Sequence, residues 1–265
     1  MIRCRPPKRL GTIVVFGFLL LLPNCSRAME FSFKYGVMEM SGEIKTGDGK
    51  KFGLFLKSNL EAYRKSRRSV FLTSNGGNLI EALSIAAQLR EIYPIVDITG
   101  KCASACFFIY LSSVKRLPIF GDLGVHRPYF DPRYFSELSF DKARESQALL
   151  TKTINSILEE NEIPQKLIEI MRETSSADVY WLSTRERGEW IKFHPTWYEE
   201  TLIARCNYGV ILKLEKQRRE ARTKFEEEQI GKEIDKVLPE SNKCEERIVD
   251  EELAKFSAKL FPKKR

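Results

Sequence analysis

The sequence predicts an α/β fold: a mainly parallel β-sheet with covering helices, followed by a charged helical appendage at the C-terminus. Three observations lead there. Short apolar runs, SVFLTS at Ser69–Ser74 and IVDIT at 95–99, read as strands too short and too apolar to face water. Between them Leu79, Leu83, Ala86, Ala87 and Leu89 recur at helical spacing, and strand–helix–strand alternation makes successive strands parallel. From 211 to 261 the chain becomes charge-dense (it includes KLEKQRREARTKFEEEQIGKEIDK), as a solvated helix or helical hairpin does.

The elements follow in order. Residues 30–47 alternate polar and apolar, with Gly36 as a bulge or turn and the first strands over 35–44. Residues 50–64 start extended and turn helical around Asn59. After the strand Ser69–Ser74, Asn75-Gly76-Gly77-Asn78 makes a tight turn into a helix over 79–92, stopped by Pro94. A strand over 95–99, a turn over 100–105, an apolar helix over 106–113, a strand over 116–120 and a short one over 124–126 come next. Residues 140–172 read as two helices split at Pro164, and 179–189 as a strand or short helix. In the tail a long solvated helix breaks at Pro239, and a last amphipathic helix follows.

The 265 residues, 43% of them apolar, suffice for one sizeable domain with an appendage. The division expected is an export signal over 1–28, a domain over 29–204 and a charged extension over 205–265. Arg3, Arg5, Lys8 and Arg9 precede an apolar run of 13 residues, 10–22, and Ser26-Arg27-Ala28 follows. That is the layout of a signal peptide cleaved after Ala28. The run falls short of the roughly 20 residues that span a bilayer. An uncleaved anchor, which would hold the chain at a membrane, and a lipid-bearing Cys25 are the alternatives. The expected location is periplasmic or secreted.

Export makes disulfides admissible. Cys102, Cys106, Cys206 and Cys244 are the candidates; four cysteines allow three pairings, and locality favours Cys102 with Cys106 and Cys206 with Cys244. The CxxxC pair has no second close pair and no histidine nearby, so no metal is expected. The formal charge of +8 sits largely at the two ends. No basic face interleaved with aromatics accompanies it, which argues against nucleic acid.

Ser104 lies between a strand and an apolar helix, where free amides and the helix dipole suit an oxyanion. A serine there is most often a plain helix N-cap. His126 ends a short strand; an imidazole is the usual base for serine, though such a residue alone is ordinary. Gly76-Gly77 lets backbone amides approach a ligand, or simply makes a turn. His194, in Phe-His-Pro-Thr-Trp, reads as a packed or surface residue.

Together the order Ser74-Asn75-Gly76-Gly77, Ala103-Ser104-Ala105, His126-Arg127-Pro128 resembles the ClpP peptidases of the ClpP/crotonase superfamily, over about residues 51–191. It is nearest to exported ClpP-like proteins carrying Cys-Ala-Ser-Ala-Cys. The resemblance implies Ser104 as nucleophile, His126 as general base, and the Gly76 and Ala105 amides as the oxyanion hole. The triad's acid would stand just before Trp181-Leu182-Ser183. The nearest is Asp178, one residue out of register, where Val179 would stand. Asn75 replaces the proline that the family has before the glycines, and Cys102 and Cys106 flank the serine; bridged, they would clamp its turn.

The activity implied is an ATP-independent serine hydrolase, a peptidase on peptides or unfolded protein, with no cofactor and with a homo-oligomer as one assembly. The rival is a catalytically inactive scaffold or binding module. An acyl-CoA enzyme of the crotonase type fits badly outside the cytoplasm.

Overall fold

The computed structural model describes residues 28–117, 120–129 and 132–262. Residues 1–27, with most of the predicted export signal, lie outside the described residues. Strands β1 (Glu30–Lys34) and β2 (Val37–Ser41) form a hairpin, turned by Tyr35 and Gly36, both at positive φ. Helix α1 (Asp48–Arg64) leads to β3 (Ser69–Ser74), α2 (Leu79–Arg90), β4 (Ile95–Ala103), α3 (Ala105–Leu111), β5 (Lys115–Leu117) and β6 (Asp122–Val125). Then come α4 (Pro132–Phe135), α5 (Phe140–Glu160), α6 (Gln165–Glu173), β7 (Tyr180–Leu182), α7 (Thr184–Trp190), α8 (Thr196–Cys206), α9 (Tyr208–Glu220) and α10 (Lys224–Leu260).

The sheet runs β1-β2-β3-β4-β6-β7, with β5 pairing with β4 beside β6. It is mixed. The central pairings are parallel, while β1–β2 and β6–β7 are antiparallel. The parallel centre follows from the crossovers through α1, α2 and α3, each long enough to return the chain to the same end.

Alternation along the strands sorts the two faces. Met38, Met40, Val70, Leu72, Val96 and Ile98 are buried and cluster with Phe52, Leu60, Ile85 and Phe107 from the helices. The alternate positions Glu39, Phe71 and Thr99 are exposed. Strands expected to be dry on both faces are therefore partly open on one.

Three local expectations are corrected. Residues 50–53 are helical, because α1 starts at Asp48, whose carboxylate accepts the Lys45 N–H at 2.6 Å. β4 runs on through Cys102 to Ala103, so the turn that carries the serine shrinks to one residue. Pro239 lies inside α10 and does not end it. The helix is held on both sides of that proline, which offsets the lost backbone hydrogen bond. Before it, α10 pairs with α9, burying Ile211 and Ile234 and closing an Arg218–Glu227 ion pair at 3.5 Å. After it, Cys244 is bridged to Cys206 of α8, and Ile248, Val249 and Leu253 enter the core.

Candidate active site

The turns that follow β3, β4 and β6 meet at the carboxyl ends of neighbouring parallel strands. The register enforces this: Ser74 lies opposite Cys102, and Ala103 opposite Gly124. Such ends are where open α/β sheets bind ligands. Gly77, Ser104, Ala105, Phe108, His126 and Tyr129 line one small cleft there. It holds about 20 Å³, room for little more than one water-sized sphere.

Ser104 has φ 58° and ψ −125°, a conformation that L-residues rarely adopt. Its hydroxyl makes no cap bond to α3, so the ordinary helix-cap role is not what it performs here. The backbone holds it instead: its N–H donates to the Gly124 oxygen at 3.1 Å and its carbonyl accepts from the Phe107 N–H at 3.0 Å. A serine on a sharp, strained strand-to-helix turn is how nucleophiles are presented in hydrolases. The Cys102–Cys106 disulfide joins the end of β4 to the first turn of α3 around it, with both cysteines fully buried.

Gly76 (φ 94°) and Gly77 (φ 133°) occupy the left-handed region that glycine alone enters freely. The Gly76 N–H, expected in the oxyanion hole, donates to Ser74 Oγ at 3.1 Å. Among the described residues neither the Gly77 N–H nor the Ala105 N–H has an acceptor. The free donors of the cleft are thus Gly77 and Ala105.

His126 is buried, with its ring 6.0 Å from that of Tyr129. Its Nδ1 lies 2.9 Å from the Arg127 carbonyl oxygen. A carbonyl only accepts, so Nδ1 carries the proton and Nε2 is the basic nitrogen. No hydrogen bond joins His126 to Ser104 among the described residues. Asp178 is exposed, its N–H closes a turn onto the Ser175 oxygen at 3.0 Å, and it makes no bond to His126. The structure brings Ser104, His126, Gly76 and Ala105 together, while Asp178 is exposed and bonds to none of them. The Arg127 carbonyl went unread in the sequence, although Pro128 was a signal: a residue before proline is held extended, which fixes its carbonyl.

Cys206 and Cys244 sit far along the chain from the serine and tie α8 to α10. His194 is buried, with Nδ1 2.7 Å from the Val114 oxygen. Burial lowers its pKa to about 4, so it is neutral in the fold. Among the described residues no three His, Cys, Asp or Glu side chains gather to hold a metal ion, and no helix is long and apolar enough to cross a membrane.

Among solved structures the chain is similar to a ClpP1 mutant from Listeria monocytogenes, with 20% identity and a TM-score of 0.42. The match covers 58% of this chain and 86% of that one. No protein-family model and no curated protein matches the chain.

Proposed function

We propose that the chain is a serine hydrolase of the peptidase type, exported and independent of ATP, in which Ser104 is the nucleophile and His126 the base. One observation carries this reading: a strained Ser104 whose hydroxyl caps nothing shares a cleft with an imidazole and two unengaged amides. His126 Nε2 would take the Ser104 proton as Oγ attacks a carbonyl carbon. The Gly77 and Ala105 amides would hold the resulting oxyanion, and His126 would pass the proton to the leaving amine. The Arg127 carbonyl stands in for the acid by fixing the imidazole tautomer. Water would then release the acyl group. The paired cysteines favour an oxidising location. The domain over 29–204 would carry the chemistry, on peptide or unfolded-protein substrates.

A second reading, an inactive scaffold, is favoured by the absence of a Ser104–His126 hydrogen bond and by the smallness of the cleft. A fluorophosphonate probe separates them. Phosphonylation of the wild type and none of Ser104→Ala supports the hydrolase. A wild type that never reacts supports the scaffold.

A further inference from the structure

The opposite end of the sheet holds a larger opening. A cleft of about 1060 Å³ lies at the amino ends of β3 and β4, between the α1–β3 link and the second half of α10. That is the size of a small-molecule site, whereas the Ser104 cleft is not.

The charges of its two walls differ in sign. The link reads Arg64-Lys65-Ser66-Arg67-Arg68, and α10 presents Glu245, Glu246 and Asp250. Glu245 is fully engaged: it accepts from Lys115 Nζ at 2.6 Å, Tyr198 Oη at 2.7 Å and Arg68 Nη2 at 3.4 Å. Burial pushes its pKa up, but Lys115, Tyr198 and Arg68 more than reverse this, so it stays charged. Two cations on one buried carboxylate leave the floor of the cleft positive. Four charges at the rim are unmatched among the described residues. Lys65 and Arg67 on one wall, Glu246 and Asp250 on the other, make no ion pair among the described residues. Arg64 gives Nη1 to Glu61 at 3.0 Å, and its Nε is buried without an acceptor. Tyr35, Phe71 and Ile95 supply apolar surface between the walls.

A plain anion would satisfy one wall and face carboxylates on the other. A ligand with a negative and a positive end would satisfy both. We propose that this cleft binds a short peptide with free termini, its carboxylate on Lys65 and Arg67 and its ammonium on Glu246 and Asp250. The site stands apart from Ser104 and its chemistry, and does not depend on the hydrolase reading.

Isothermal titration of the full chain carrying Ser104→Ala with tetraalanine tests it, with the N-acetylated, C-amidated and doubly blocked peptides as controls. The expected result is saturable binding by the free peptide. Each single block, and each of Arg67→Ala and Asp250→Ala, should weaken it by about tenfold or more. Thermal unfolding of the two variants should match the parent, since both residues are unpaired. No binding, equal binding of the doubly blocked peptide, or inorganic phosphate binding as tightly as tetraalanine would each overturn the proposal.

Discussion

Gly76 packs directly against Ser104: a Cβ built on Gly76 would fall 2.6 Å from Ser104 Cβ and 2.7 Å from the Ala103 oxygen. The glycine turn after β3 and the serine turn after β4 are thus one packed unit, and the conformation of each constrains the other. Gly76→Ala should cost about 2–4 kcal/mol, from its φ of 94° and from a clash with backbone that cannot yield. It should also abolish the reaction of Ser104 with a fluorophosphonate. Thermal unfolding and intact-mass labelling of the variant check the two halves separately.

The two disulfides should divide their effects. Chain entropy assigns about 2 kcal/mol to the short ring closed by Cys102–Cys106 and about 4 kcal/mol to the ring closed by Cys206–Cys244. The short bridge surrounds the strained Ser104, whereas the long one secures α10. Replacing Cys102 and Cys106 with alanine should slow labelling of Ser104 by about tenfold or more. Replacing Cys206 and Cys244 should lower the unfolding temperature more and leave labelling nearly unchanged. The opposite pattern would remove the clamp.

Asp178 should prove dispensable. Where a carboxylate does orient a catalytic imidazole, losing it costs about 10⁴ in turnover. Here the Arg127 carbonyl holds Nδ1, and Asp178 is exposed and makes no hydrogen bond to His126. Asp178→Asn should therefore keep the labelling rate within about threefold, in line with other exposed substitutions. A loss of two orders of magnitude would return the acid to the site.

His194 makes stability depend on pH. Its folded pKa, about 4, lies below the ordinary value of 6.5, so the unfolded chain binds the proton more readily. Its neutral, packed form is at full strength above about pH 6.5, and its contribution falls as pH drops from there towards 4. The loss should reach about 2–3 kcal/mol. Denaturant titrations at pH 7 and pH 4.5, run on the wild type and on His194→Phe, isolate it; the variant should lose less on acidification.

Glu245 anchors the second half of α10 to the sheet. Glu245→Ala leaves Arg68 buried, and Lys115 partly so, without their carboxylate, and should cost about 3–5 kcal/mol. Glu251→Ala, whose carboxylate is half exposed, should stay within about 1 kcal/mol. Urea unfolding midpoints compare them directly.

The sequence displayed what depends on local pattern and order. The helix after Gly77, the two helices about Pro164 and the strand before Gly76 were readable from period and turn residues, whereas the Ser104 turn was placed correctly but read over 100–105, where β4 runs on to Ala103. What depended on distant partners was not. α1 begins earlier than its own residues suggest, because Lys45 and Glu81 bond to its first turn. Pro239 should end a helix on local grounds, but α9 and the Cys206 bridge hold both sides. Within the site, the residue types were legible and the donors were not. Only geometry shows that Ser74 takes the Gly76 amide and leaves Gly77 free. The exposed position of Asp178 likewise depends on the turn closed at Ser175.

The central claim is that Ser104 is a reactive nucleophile served by His126. Intact-mass analysis after incubation with a fluorophosphonate tests it most directly, on wild type, Ser104→Ala and His126→Ala. The expected result is one adduct on the wild type, mapped to Ser104, none on Ser104→Ala, and labelling slowed by about 10² or more in His126→Ala. A folded wild type that takes up no probe, or an adduct that persists in Ser104→Ala, would contradict it.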